Sequence, residues 1–302
     1  SSNNSGSSAP STNYASQFFA NTTSSIMQLR NTANNAHVNL FTLAGGPAFA
    51  VDGTINSVNI GKGANSVSNN TVLGEGALDA SVTGNNNIAI GASALTENTS
   101  GADNSGVGTG ALANNTTGSQ NTAIGRRALR DNTTASNNTA LGFDALSANT
   151  TGTVNTAVGS GALDANTTAS ANTAIGTNSL TTTTTGSDNT AVGYLSLEKN
   201  TTGSFNTCIG KSVLQENTTG TRLVAVGAFA LDANTTANNN VAVGYTALTA
   251  NTTGGNNTAL GDQCLAANTT ASNNVGVGKD ALAVNTTGHS NVAVGSGALD
   301  AN

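Results

Sequence analysis

Few residues of this 302-residue chain have a type and setting that could carry chemistry. The histidines are His37, inside a strand-like run, and His289, inside a turn-like one; no nucleophile, carboxylate and base recur together, so acid–base or covalent catalysis has no constellation to use. Ile209-Gly210-Lys211-Ser212 copies the end of a phosphate-binding loop, but the first glycine of that motif would be residue 205, which is Phe. Cys208 and Cys264 could pair or react. The Asn-Thr-Thr triplets are formal N-glycosylation sequons, although turn chemistry explains them fully. Phe143, Tyr194 and Tyr245 each follow a glycine at intervals of 51 residues, and such rings either bind sugars and proteins at exposed corners or pack at a seam between subunits. These three are the candidate binding residues. No enzyme, cofactor or metal is read.

Composition restricts what can hold such residues in place. Charged residues make up 8% and aromatic residues 3%, there is no Trp, and Asn, Thr, Gly, Ala and Ser fill most of the rest. A conventional core of large apolar side chains cannot be built from this, since burial contributes only about 25 cal/mol per Å² of apolar surface. Disorder would come with high net charge and few branched apolar residues; here the net charge is −6 and Ile, Val and Leu recur at fixed intervals. Packing by repetition is the remaining solution. Scattered basic residues exclude nucleic acid as a partner. The longest apolar stretch, 40–51, is broken by Gly45, Gly46 and Pro47, so no membrane insertion is read.

The repeat is 17 residues long. Gly74, Gly91, Gly108, Gly125, Gly142 and every seventeenth residue to Gly295 are glycine, and the consensus is N-T-A-[IVL]-G-x-x-A-L-x-x-N-T-T-[GA]-x-x. In the first segment Thr122 and Ile124 point one way and Ala123 and Gly125 the other, the alternation of a short strand. Ile88, Val241, Val275 and Val292 replace Thr122 elsewhere, so that column reads as buried; the Ala column admits only small or compact residues (Val72, Gly106, Cys208, Gly276), so something approaches it closely. The second segment carries an unvarying leucine, Leu95, Leu112, Leu129, Leu146 and Leu163 among them, which predicts a stacked leucine ladder. Its Ala neighbour is always small. Two restricted positions in a row predict burial on both sides, against the coil interior and against a neighbouring subunit.

The third segment, N-T-T-[GA], is a turn that closes the coil, and Asn98, Asn115 and Asn132 would stack into a ladder of amide hydrogen bonds. Most charges, Arg126, Arg127, Asp144, Lys199 and Asp232 among them, fall in the variable pairs after Gly or after Leu, and these pairs must face solvent. Cys208 and Cys264 sit three coils apart, about 14 Å along the axis, too far for a disulfide.

Fourteen coils advancing about 4.8 Å each make a rod of roughly 65 Å, an all-β parallel β-solenoid or β-roll, with two short strands expected per coil. The units Asn121 to Gly125 with Ala128 resemble the head of trimeric autotransporter adhesins, a left-handed parallel β-roll. The whole array resembles more closely the N-T-A-I-G…A-L…N-T-T-G shafts of phage tail fibres and other virion fibres. The resemblance covers residues 70–302 and implies a homotrimer of parallel rods, on a virion surface or extracellular, that attaches to a host-surface glycan or protein. The alternative is a bacterial cell-surface adhesin or self-assembling extracellular filament. Ice binding is disfavoured, because adjacent threonines in N-T-T lie on opposite faces.

Outside the repeat, residues 1–16 read as a Ser/Asn-rich linker or arm. Residues 17–56 read as a small β cap, with strands at 25–30, 37–43 and 48–51. Residues 57–69 read as a short starter coil. The uncapped last coil predicts that the chain continues or that another copy stacks end to end.

Overall fold

The computed structural model describes residues 58–300 in full and, before them, the backbone of four strands. The chain divides into two compact units, Ser1–Val51 and Asp52–Asn302. In the first, β1 (Gln17–Asn21), β2 (Ile26–Asn31) and β3 (Ala36–Thr42) form an antiparallel sheet in that order. Phe18 pairs with Leu29 and Leu29 with Val38, with a bulge between Met27 and Gln28. Two of the expected strands are therefore β2 and β3; the arm 1–16 and the expected strand at 48–51 lie outside the described residues.

The second unit begins with β4 (Gly53–Ile55) and β5 (Val58–Gly61), which pair antiparallel, and β5 runs antiparallel to β6 (Thr71–Gly74). From there the chain winds in one sense. Strands β7 to β19, each of three residues, recur every seventeen residues from Ile88–Ile90 to Val292–Val294, all parallel and in register, so that Thr122, Ala123 and Ile124 lie against Thr139, Ala140 and Leu141. The result is a parallel β-solenoid of thirteen turns between β6 and β19. The starter segment contains β5 and a short 3₁₀ turn, Ala64–Ser66. It docks on the first coil by Ala64 N–H to Leu78 O at 3.1 Å and Asn65 Nδ2 to Val82 O at 3.0 Å.

Each coil holds one strand, not the two expected. The Ala-Leu segment is a run of turns, and its leucine adopts a left-handed backbone in every coil, from Leu78 (φ 47°) through Leu129 (φ 50°) to Leu299 (φ 54°). That conformation costs an L-residue about 1–2 kcal/mol, which the roughly 1.5–3 kcal/mol returned by burying a leucine side chain offsets. Ala123, Ala128 and Leu129 are all fully buried in the single chain, and so are their counterparts through most of the solenoid. All three columns therefore fill the lumen, and the prediction that one small-residue side faces another subunit is overturned.

The alternation within the strand is as expected, but its sense is reversed. Ala123 points inward, while Thr122 is half-buried and Ile124 is 41% exposed. A coil of 17 residues encloses space for one Ala and one Ala-Leu pair across from each other, and this leaves the β-branched column on the outside. The marker glycines are fixed twice over. Gly125 has φ +134°, a region L side chains rarely adopt, and a Cβ there would meet Gly142 O at 2.3 Å in the next coil.

Candidate functional surfaces

Four ladders of hydrogen bonds line the turns of the solenoid. In the Asn-Thr-Thr turn, Asn132 Nδ2 donates to Asn115 Oδ1 at 2.7 Å and to Ala135 O at 2.9 Å, and Asn115 does the same to Asn98 and Gly118. The asparagine preceding each strand forms a second ladder: Asn138 N–H donates to Asn121 Oδ1 at 3.0 Å and Asn138 Nδ2 to Gly152 O. Thr133 Oγ1 donates to Thr150 O, and Ser136 Oγ accepts from Ser119 N–H. Only the first of these was legible in the sequence; the others need the coils to be stacked before donor and acceptor meet. Asn98, Asn115 and Asn132 are fully buried, so a glycan on these sequon nitrogens is incompatible with the folded coil.

The ladders also show where the sequence breaks its own rule. Thr183 stands in the asparagine column, and Asn200 Nδ2 reaches only its hydroxyl, at 3.3 Å. One coil earlier, Asn166 Oδ1 is buried without a hydrogen-bond partner, because threonine has no amide to offer it. Leu223 interrupts the other asparagine column and is itself fully buried.

The variable pair after the marker glycine forms an exposed corner. Phe143, Tyr194 and Tyr245 lie there, 45%, 50% and 55% exposed, three coils apart and so too distant to touch one another. Each has its own surroundings. Arg126 and Arg127 lie over the Phe143 ring, 5.4 and 5.3 Å from its centroid, and Arg127 also pairs with Asp144. Tyr245 meets Phe229 edge to face at 6.2 Å, and Lys211 lies 5.4 Å over Phe229. Phe229 does not stand out in the sequence because it occupies the second position of its pair, one place beyond the column of Phe143, Tyr194 and Tyr245.

The corner after the leucine carries charge ladders. Asn114 donates to Asp131 and Lys199 Nζ to Glu216, 2.8 Å away. Hydrogen bonding from Arg130 holds the Asp131 carboxyl below the usual carboxylate range. Desolvation, reinforced by Glu216, pushes Asp232 up, with Lys199 opposing, and Asp232 Oδ1 has no partner. Cys208 and Cys264 are free and buried, and burial pushes the Cys264 thiol up to about 11 and Cys208 higher still. Neither presents a thiolate at neutral pH. Among the described residues no group of three metal-ligating side chains converges, and no helix is long and apolar enough to cross a membrane.

The remaining surface is the outward strand face. It consists of the Thr122 column and the Ile124 column, with Leu73, Ile88, Leu141, Ile175, Ile209 and Val243 among its exposed members. Comparison with protein-family models, curated proteins and solved structures finds no match.

Proposed function

We propose that this chain is a structural and attachment protein, the shaft of a homotrimeric virion fibre of the phage tail-fibre kind that contributes to binding a host-surface glycan or protein. The observation that supports this reading is that every inward position of the solenoid is consumed by stacking. Ala123, Ala128, Leu129, Asn121 and Asn132 and their counterparts face one another from coil to coil with few departures, and the charged residues lie at the outer corners. Such a body provides length, stiffness and a repeated exterior. The resemblance of the N-T-A-I-G…A-L…N-T-T-G array to virion shafts supplies the biological setting. The aromatic corners around Phe143, Tyr194 and Tyr245 are the positions from which a receptor would be met.

Immunogold labelling tests the reading. Antibody raised against the purified chain is expected to decorate fibres of virions and to block their attachment to host cells. Label confined to a bacterial cell surface or to free filaments would replace it with the alternative of an adhesin or extracellular filament.

A further inference from the structure

The strand face is uncharged along its whole length. In the fourteen coils from Thr71 to Val294, the Thr122 column holds only Thr, Val, Ile or Ser and the Ile124 column only Ile, Val or Leu. The corners after Gly and after Leu, by contrast, carry Arg126, Arg127, Asp144, Lys199, Glu216 and Asp232. The Ile124 column is thus an unbroken apolar line through all fourteen coils, beside a Thr122 column in which nine of fourteen residues are Thr or Ser. Three strand residues span about 10 Å and thirteen steps about 62 Å, so the strip covers about 600 Å² per copy. Three copies meeting on it would bury about 1,800 Å² in all, within the roughly 1,200–2,000 Å² of specific interfaces.

The flank of the strip adds a second observation. The residue before each inward asparagine is usually Asn, Asp or Gln in a left-handed conformation, a natural use of those side chains. Val154 and Phe205 hold the same conformation, at φ 60° and 61°, and each is 59% exposed. A branched or bulky residue there is placed against its backbone preference. In a lone chain it gains no burial in exchange. Both sit beside the strip, next to Thr156 and Val158 in one coil and Thr207 and Ile209 in another, and widen its apolar surface.

We infer that the strand face is the surface through which parallel copies of this chain associate, with the Ile124 column at the centre of the contact and Val154 and Phe205 at its margin. This rests on the trimeric reading above and deepens it by assigning the face. Three identical uncharged strips converge on a threefold axis parallel to the coil stack, in register because the column spacing is the same on every copy. The small-residue columns cannot serve, since they are sealed inside the coil.

Sedimentation of wild type and two double variants tests the assignment. The wild type is expected to sediment as a trimer. Ile124→Lys with Val158→Lys should shift association to at least 100-fold higher concentration with an unchanged circular dichroism spectrum. Thr134→Lys with Thr151→Lys, on the exposed Asn-Thr-Thr turn, should leave the trimer intact. If the lysine pair on the strand prevents folding, Val158→Cys serves instead. A short bismaleimide should link its copies covalently, and Thr151→Cys should give no linked product. A wild-type trimer that survives the strand variants, or that cross-links through Thr151→Cys and not through Val158→Cys, overturns the face and leaves the trimer standing. A wild-type chain that sediments singly overturns both, and if that lone chain shapes growing ice crystals the flat strip meets an ice lattice in place of a second copy.

Discussion

Buried amides and hydroxyls carry much of the specificity at the residue scale, because each needs a partner supplied by the coil above or below. Thr183 breaks that supply and leaves Asn166 Oδ1 orphaned. Thr183→Asn restores a donor to Asn166 and an amide ladder to Asn200. It is expected to stabilise the solenoid by about 1–2 kcal/mol, read as a raised denaturation midpoint. Asp232 presents the opposite case, a half-buried carboxylate with an unpartnered oxygen. Its folded pKa lies above the 3.8 of the free group. The folded state therefore prefers the protonated form, and the charge costs stability above the folded pKa. Asp232→Asn should raise the thermal midpoint at pH 7, by under about 1 kcal/mol after solvent screening. The advantage should shrink as the pH falls through the raised pKa and be gone well below 3.8. A gain that persisted unchanged in acid would show that packing, not charge, is responsible.

Each coil, at the scale of the element, is one short strand closed by turns whose tightness depends on a few backbone positions. Gly125 combines a φ of +134° with a neighbouring carbonyl 2.3 Å from where a Cβ would lie. Gly125→Ala thus forces both backbone strain and a shift against the next coil, at a cost of about 2–5 kcal/mol. Hydrogen exchange should locate the damage: amides of β9 (Thr122–Ile124) and β10 (Thr139–Leu141) lose protection first, while distant coils such as β19 keep theirs. The same reasoning explains why the Ala-Leu segment is not a strand. Its leucine turns left-handed to bring the side chain into the lumen, and a strand would have carried Ala and Leu to opposite faces.

At the scale of the whole solenoid unit, contacts run only between neighbouring coils, so the unit behaves as a one-dimensional stack. Excising residues 139–155, seventeen in number, removes one complete coil and joins Asn138 to Thr156 in the same register. That deletion should leave a folded, cooperative protein with a midpoint within a few degrees of the parent. Excising only 139–146 should not, because every column downstream would face the wrong wall. Comparable thermal melts for the two deletions would refute the stack description. The outward strip belongs to this scale too, for it exists only when the fourteen strands β6 to β19 line up.

The sequence by itself determined the period, the coil boundaries, the parallel stacking, the leucine ladder and the asparagine ladder of the Asn-Thr-Thr turn, because those depend on a pattern repeated without slip from Gly74 to Gly295. Periodicity identifies which residues share a column. It does not say which way a three-residue strand faces, since Thr-Ala-Ile alternates equally well with either side inward. Only the tertiary structure decided that, through the volume available: the narrow lumen accepts Ala123 opposite Ala128 and Leu129, and Ile124 is left outside. Side-chain volume inside the coil thereby chose the face that the chain presents to everything else.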